Sequence, residues 1–465
     1  MGLFDFLSST KKAPSVVSAS ERDNLFNQIF FSIPSNGIPI PNSYSLQEFA
    51  DFYDTNALIY ALIDWKASRA AEIQPVLYLI KDTKSAKEFK KWNGKYINEY
   101  ELKQLAKVKA VAYEEIDLNA VTTSDLTYGK LKQIFKQPSP LYSWKQFVYM
   151  YMASRDVSGF SAIWGNRLDS GLNKGKIQSL YPLPSHITQI IGGTQFEPIH
   201  GYKVIEASYQ KEFLAEDTML LRNHSFKYGV QGEFLYGTPR VKAAVREIKT
   251  YNASKLREEF GFVTGDARTL LSPKDRDYAE HLNSLSPESK QKWFDDMFKR
   301  LRQTNRENVA VTNVPMDATR IDSPLSESRT TEAQKSILET LCGVWHISPI
   351  LMGSQASSTF NNMKEVGKIS LRDAVFPEMR ELGEGLNDFL IKGYGENLEL
   401  ALDFDNFEEF SEDIKVQAEA LDKMPFLTDN EKRDWVDYAP LPDDKANLPA
   451  AYWDTPIVSN DGSYL

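Results

Sequence analysis

The sequence contains little of the chemistry that marks enzymes, metalloproteins and disulfide-stabilised proteins. Cys342 is the only cysteine among 465 residues, so no intrachain disulfide can form and folding in a reducing compartment is expected. The five histidines are dispersed, with no His-x-x-x-His pair and no neighbouring cysteine. Because protein zinc sites need such clustered ligands, we expect neither a metal nor a cofactor.

Long apolar runs and an excess of positive charge are also missing. No window approaches the roughly 18 consecutive apolar residues of a membrane-spanning helix, so no membrane partner is expected. The 54 Lys and Arg residues are outnumbered by 64 Asp and Glu residues, which gives a net charge of −10. Tight nucleic-acid binders usually show the opposite balance. Any contact with DNA is therefore expected to be one that does not hold the DNA in place.

Three short motifs resemble functional signatures but lack the residues on which the chemistry depends. "GLNKGKI" has glycines one residue too close for a phosphate-binding loop, and Ile177 replaces the hydroxyl that would bind magnesium. "GFSAIWG" around Ser161 lacks the Gly-x-Ser-x-Gly spacing of a hydrolase nucleophile. "DFDNFEEFSED" has Phe407 inside what would be a calcium loop. No catalytic residue is predicted, and the chain is not expected to be an enzyme.

The spacing of apolar residues predicts an α+β fold. Alternating segments such as "IQPVLYLI" and "HGYKVIE" predict strands in the first half of the chain. In the second half, Ser-Pro or Thr-Pro pairs at residues 238–239, 286–287 and 323–324 precede helical patterns. These pairs predict helices with a side-chain cap and a proline in the first turn. Pro377 is expected to interrupt a later helix, because proline cannot donate a helical hydrogen bond.

A small, uncharged loop separates two of the predicted helices. In "LMGSQASSTFNNMKE", Gly353 gives the backbone conformational freedom, and nearly all of the next residues are hydroxyl, amide or small side chains. Such groups can exchange hydrogen bonds with a ligand or with water without adding a fixed charge. The loop is therefore either a plain connector, whose Thr359 or Asn361 caps the next helix, or a surface that touches a passing ligand.

The order of motifs along the chain resembles that of the HK97-like portal proteins, the phage family that forms the ring at one vertex of a tailed-phage head. The six similar segments are "MGLFDFL", "LKQIFKQPSPLYSWKQFV", "SGFSAIWGNR" with "IQSLYPLPSHIT", "YGTPRVKAA", "GVWHISPILMGSQASSTFNNMKE" and "FLTDNEKRDWVDYAPLP". The Lys/Glu-rich residues 81–109 are an apparent aperiodic insertion, and residues 452–465 have no counterpart.

The resemblance implies an elongated α+β portal subunit with an α/β wing, a long two-helix stem, a small α/β clip and a helical crown. On this chain the implied segments are a flexible N-terminal segment at 1–25, the wing at 26–237, stem helices at 238–264 and 323–347, the clip at 265–322, the tunnel loop at 348–363, the kinked helix and return strand of the wing at 364–405, and the crown with the C-terminal tail at 406–465.

The function implied by the resemblance is a portal through which DNA is packaged and ejected. Its expected partners are further copies of itself in a ring, expected to be a dodecamer, double-stranded DNA passing without sequence specificity, the terminase large subunit, the major capsid protein and a head-tail adaptor protein. Its expected location is the capsid vertex of the virion, after assembly in the host cytoplasm. The acidic balance suits this role, because lysines and arginines lining a channel would hold the DNA phosphates.

The resemblance also assigns roles to three groups of residues. The tunnel loop at the DNA channel comprises Gly353, Ser354, Gln355, Ser357, Ser358, Thr359, Asn361 and Asn362. The motor-docking face of the clip comprises Lys290, Lys292, Lys299, Arg300, Arg302 and Arg306, unless these charges only solvate a surface helix. The stem residues, whose apolar stripes are expected to pack against neighbouring subunits, are Val241, Val245, Ile248, Ile337, Leu341 and Trp345.

Two other functions are compatible with the residues. One is a multidomain protein-binding scaffold without DNA contact, and the other is a metal-dependent hydrolase of α+β fold. The missing motifs weigh against the hydrolase, as does the run of capped helices that accounts for half of the sequence without any chemistry. Rings with a central hole in negative-stain microscopy would distinguish a portal from both.

Overall fold

The computed structural model describes most of the chain between residues 46 and 435. The described residues are 46–92, 99–122, 125, 127–168, 170–171, 173–192, 198–206, 209–226, 233–264, 269–274, 276–307, 316–320, 330–354, 360–404, 407, 409, 423, 427–435 and 441. Helices and antiparallel strands are both present along this length, and the fold class is α+β, as the sequence predicts.

The helices of the described residues fall into two groups along the chain. Those of the first half are α1 (Leu46–Thr55), α2 (Ala57–Glu72), α3 (Thr83–Trp92), α4 (Glu99–Ala112), α5 (Tyr128–Lys136) and α6 (Trp144–Ser158). Those of the second half are α7 (Arg240–Ala243), α8 (Val245–Thr264), α9 (Arg276–Ser284), α10 (Pro287–Glu307), α11 (Thr330–Trp345), α12 (Phe360–Ser370), α13 (Phe376–Phe389) and α14 (Asp429–Trp435).

The strands form small antiparallel sheets. They are β1 (Gln74–Ile80), β2 (Tyr113–Ile116), β3 (Phe160–Arg167), β4 (Ile177–Pro182), β5 (Thr188–Gly192), β6 (Ile199–Glu206), β7 (Tyr209–Leu214), β8 (Thr218–Arg222), β9 (Thr269–Pro273), β10 (Met316–Arg320) and β11 (Leu398–Asp403). Within the described residues the sheet orders are β11-β1-β2, β4-β3-β8, β5-β6-β7 and β10-β9. The pairing of β11 with β1 joins a late segment of the chain to the first strand of the described residues.

Local signals in the sequence determine where several helices begin. The Asn56 side chain accepts hydrogen bonds from the backbone amides of Leu58 and Ile59, so the helical pattern before β1 is divided into α1 and α2. Helix α10 begins at Pro287, as the Ser-Pro pair predicts. Helix α7 begins one residue later than expected, because Pro239 has an extended backbone with ψ of 139°.

Residues 83–92 and 99–109 of the Lys/Glu-rich stretch are helical, and the prediction that this stretch is aperiodic is wrong for them. They form most of α3 and α4, which lie beside β2 around the buried residues Ala86, Ala112 and Tyr113. The Phe89 ring packs edge-on against Tyr113, with ring centroids 5.6 Å apart. The apolar side of this pair is narrow, so its periodicity is hidden by the many charged residues on the solvent side.

The interruption expected at Pro377 is present as a π-helical turn. This turn covers Leu371–Val375, between α12 and α13. Proline lacks the amide that would bond to the carbonyl of Asp373, four residues earlier, so regular α-helical bonding cannot continue there. Leu371 and Val375 are fully buried, which fixes the interrupted helix against the core.

One large hydrophobic core connects the two halves of the chain. Six elements each contribute one of the following fully buried members, among others: Leu62 of α2, Tyr151 of α6, Ile163 of β3, Ile248 of α8, Trp345 of α11 and Met379 of α13. Burying a large apolar side chain contributes about 1.5–3 kcal/mol. Removing one of these side chains is therefore expected to affect the folding of the whole subunit.

Candidate functional site

The polar loop begins immediately after a tightly constrained turn. Helix α11 ends at Trp345, and His346 takes a left-handed conformation with φ of 57°. The Ser348 side chain then accepts from the amide of Ile350 at 3.4 Å and caps a short 3₁₀ turn, Pro349–Met352. Gly353 follows with φ of 79°, where no heavy atom would contact an added Cβ. Glycine is needed there for its backbone conformation and not for space.

The two flanks of the loop are joined to each other at the core. The backbone amide of Ser348, before the loop, donates to the hydroxyl of Ser370, after it, at 3.1 Å. Ser370 is buried, and Leu351 and Met352 pack against the main core. The described flanks of the loop are therefore both held at the core.

The predicted tunnel-loop residues have three different placements. Gly353 is exposed and Ser354 is half-buried, both directly before the loop. Gln355, Ser357, Ser358 and Thr359 lie outside the described residues. Asn361 and Asn362 do not belong to a loop, because α12 already begins at Phe360 and they occupy its first turn. Asn361 therefore lies inside this helix and not at its N-cap position.

The predicted stem residues are buried within the single chain. The expectation that their apolar stripes need a neighbouring subunit for burial is therefore wrong. Ile337 is half-buried against the main core. The other five are buried: Val241, Val245, Ile248, Leu341 and Trp345. Helices α8 and α11 pack on each other, and the Gln334 amide donates to Glu258 across the pair. Farther along α8, Leu256 is 65% exposed.

A buried cluster of charges, which we call the charge square, lies where these helices meet the body. Its members are Lys66 of α2, Asp156 of α6, Arg240 of α7 and Glu378 of α13. Lys66 Nζ donates to Asp156 Oδ1 at 2.9 Å and to Glu378 Oε1 at 2.8 Å. Arg240 Nη1 donates to the same two oxygens at 2.5 and 2.6 Å. Two cations therefore share two carboxylates, and the formal charges balance.

Burial makes the charge square sensitive to the loss of any member. The side chains of Lys66, Asp156, Glu378 and Arg240 are 0%, 1%, 7% and 21% exposed. Burial would raise the pKa of Glu378, but the cations Lys66, Arg240 and Arg155 outweigh it and lower that pKa to about 2, against an ordinary value of 4.5. The Glu378 carboxylate therefore remains charged over the whole physiological range of pH.

Neighbouring polar groups extend the charge square to further elements. The Trp345 indole donates to Asp156 Oδ2 at 3.1 Å, which ties the last residue of α11 to α6. The Tyr151 hydroxyl donates to the backbone carbonyl of Glu378 at 2.9 Å. Arg155, also buried, donates to that hydroxyl at 2.7 Å and to Glu381 at 2.6 Å. Burial raises the pKa of Tyr151, so its hydroxyl stays protonated as a donor.

The charge square was not predicted from the sequence, although a signal for part of it exists. Lys66 lies four residues after Leu62 and three after Ile63, on the buried face of α2. Glu378 similarly lies between the buried residues Val375 and Leu382 of one helical face. A charge on an apolar face indicates a buried partner. The sequence does not identify that partner.

The predicted motor-docking residues lie on α10. Lys292 and Lys299 are exposed, whereas Lys290 is half-buried and donates to the Asn283 carbonyl near the end of α9 at 2.9 Å. Lys290 therefore also has a structural contact. Arg300, Arg302 and Arg306 belong to the same helix, but their side chains lie outside the described set.

The described residues show no site for metal chemistry. Among them, no three His, Cys, Asp or Glu side chains group closely enough to hold an ion. Cys342 is buried, and burial raises the pKa of its thiol to about 11, so it is poorly suited to act as a nucleophile. In the same part of the chain, no helix has both the length and the apolar character needed to cross a membrane.

In the described residues, an α+β fold carries an excursion from Arg240 to Trp345, which includes α8 to α11 with β9 and β10, and a polar loop whose two flanks are joined at the core. The family description that matches the sequence is Phage portal protein, over residues 103–437. The chain belongs to the phage portal protein family. No curated protein matches it in sequence.

Solved structures are similar to this chain at low sequence identity. The neck of an empty gene transfer agent (GTA) particle, computed with C6 symmetry, is similar with a TM-score of 0.56 and 15% identity, over 87% of this chain and 96% of that one. The neck of the native GTA particle, computed with C12 symmetry, has a TM-score of 0.56 and 14% identity, over 88% and 97%. An HK97 family phage portal protein from Corynebacterium diphtheriae is similar with a TM-score of 0.47 and 10% identity, over 76% and 94%.

Proposed function

We propose that this chain assembles into a portal ring at one vertex of a phage capsid and forms the channel through which DNA enters and leaves. The observation that carries the proposal is the fold similarity, over nearly the whole chain, to the neck of a particle computed with C12 symmetry. Membership of the phage portal protein family, which is structural, supports a role without enzymatic activity. A dodecamer is the copy number that we propose, and the virion is the proposed location.

The predicted architecture is retained as part of this proposal. Residues 26–237 form the wing, α8 and α11 the stem, and the β9–β10 pair with α9 and α10 the clip. The segment between Met352 and Phe360 forms the tunnel loop, shortened by the helical placement of Asn361 and Asn362. Negative-stain microscopy of the purified protein tests the assembly, since particles without a central hole would contradict it.

The proposed channel role of the loop is tested by adding charge to it. Replacing Ser357 and Ser358 by lysine should leave ring assembly unchanged but slow DNA packaging or ejection several-fold, because each new ammonium group attracts the DNA phosphates. Raising the salt concentration should reduce the defect by screening the added charges. The matched control is glutamine at both positions, which adds length without charge. Packaging at the wild-type rate in the lysine variant would show that this loop does not meet the DNA.

The clip is the proposed docking surface for the packaging motor and later for the head-tail adaptor. Its α10 helix carries the exposed Lys292 and Lys299 together with Arg300 and Arg302. Replacing Arg300 and Arg302 by glutamate should weaken binding of the terminase large subunit at least tenfold in a pull-down, with ring formation retained. If binding is unchanged, these charges only solvate the helix.

A further inference from the structure

We infer that the charge square is a common positioning joint for both the stem–clip excursion and the tunnel loop, so that the two move together relative to α2 and α6. The segment names rest on the proposed function, but the joint itself rests on contacts. Lys66 and Asp156 come from two helices of the body, whereas Arg240 and Glu378 come from the two segments that the joint holds.

The order of the chain through the charge square carries this inference. Arg240 is the first residue of α7, where the chain leaves the body toward α8, and Trp345 is the last residue of α11, where it returns. Both donate to Asp156, to Oδ1 and Oδ2 respectively. One carboxylate therefore binds the first and last residues of the whole excursion.

The tunnel loop is attached to the body at the same charge square. It begins after Trp345, and α12, which follows it, continues through the π-helical turn into α13, where the Glu378 carboxylate binds Lys66 and Arg240. The hydrogen bond from Ser348 to Ser370 closes the loop between these two points. A displacement of α7 relative to α2 must therefore alter contacts of Glu378, and with it the segment that ends the loop.

Charged contacts suit a joint because charge-assisted hydrogen bonds fix the geometry between the groups that make them. Val241 and Ile248 pack in the main core. Their apolar contacts are expected to keep the first stem helix folded when Lys66 and Asp156 are neutralised. Neutralising Lys66 and Asp156 should therefore loosen residues 240–248 and 347–354 without unfolding the subunit. We call these two stretches the roots of the excursion and of the loop.

Hydrogen exchange of the assembled protein tests the joint with a charge-balanced double variant. Lys66→Met with Asp156→Asn removes the body's two charges and leaves the Arg240–Glu378 pair. Amides at residues 240–248 and at residues 347–354 should then exchange roughly tenfold faster, both together, while β3 remains as protected as in the wild type. This measurement involves no DNA, so its result is independent of whether the loop meets DNA.

Two control variants separate positioning from general stability. Lys203→Gln with Glu212→Gln removes an ion pair between β6 and β7, with atoms 3.6 Å apart, and should leave both roots unchanged. Arg240→Lys keeps a single cationic nitrogen there, as Nη1 alone bonds both carboxylates, and should stay within about twofold of wild type at both roots. Acceleration at only one root, or equal acceleration in β3, would overturn the inference.

A second double variant covers the possibility that the first one does not fold. Arg240→Met with Glu378→Gln keeps the fully buried Lys66–Asp156 pair and removes the charges of the two segments. It is expected to accelerate exchange at the same two roots. Unchanged exchange in this variant would show that the charges do not position either segment.

Discussion

Replacing Lys66 by methionine should lower the free energy of unfolding by about 3–5 kcal/mol, the cost of leaving a buried charge without its partner. The ammonium group is fully buried and bonds to two carboxylates, so its loss leaves Asp156 and Glu378 sharing Arg240 alone. Urea unfolding of the purified variant measures the loss. The charge-balanced Lys66→Met/Asp156→Asn variant should lose less, and a larger loss in the double variant would contradict this explanation.

The effect of Lys66→Met should also depend on pH. The pKa of Glu378 is lowered to about 2 from an ordinary 4.5, so its charge contributes stability that is present above about pH 4.5 and is lost as the pH falls toward 2. Without Lys66, burial raises that pKa, and protonation of Glu378 relieves the unpaired charge. The stability difference between variant and wild type should therefore narrow below pH 4.5. A difference that stays constant between neutral pH and about pH 3 would contradict this.

Replacing Ile248 by aspartate should prevent stable folding of the subunit, with a loss of about 5 kcal/mol or more. The side chain is fully buried in the core that joins both halves of the chain. The substitution removes its apolar contacts and places a carboxylate among them, and the two costs add. Loss of assembly in this variant is thus a consequence of misfolding, which circular dichroism and thermal unfolding of the isolated subunit can establish.

Leu256 supplies the matched control on the same helix. It is 65% exposed and lies two turns beyond Ile248. Leu256→Asp should leave the melting temperature of the subunit within a few degrees of wild type, while sedimentation shows fewer intact rings if this half of α8 contacts a neighbour. An Ile248→Asp subunit that folds normally and fails only to assemble would restore the original expectation for the stem.

Much of the fold could be predicted from local patterns. The α+β class, the start of α10 at Pro287 and the interruption beside Pro377 follow from periodicity, capping and the missing amide of proline. The family was identified from motif order, and the match over residues 103–437 confirms it. Residues 81–109 were misjudged, because charged solvent-facing residues outnumber the apolar ones that hold α3 and α4 together.

The site was predicted less well, because its geometry depends on residues far apart in the sequence. Asn361 and Asn362 read as loop residues, but α12 begins before them. The buried face of α8 was expected to need a neighbouring subunit, whereas it packs on α11 and belongs to the main core of the single chain. A stripe of apolar residues indicates burial but does not identify the surface that buries it.

The sequence by itself determined the class of fold, the family, and the position of a neutral loop between two helices. Only the tertiary structure decided which charged and polar groups meet. Lys66 and Glu378 are 312 positions apart, and Asp156 and Trp345 are 189 positions apart. Local propensity acts over a few residues along the chain. Ion pairs and core contacts form between whichever segments the packing of the whole subunit brings within a few ångströms. The interaction energy of a buried ion pair depends on all the groups that exclude water from it.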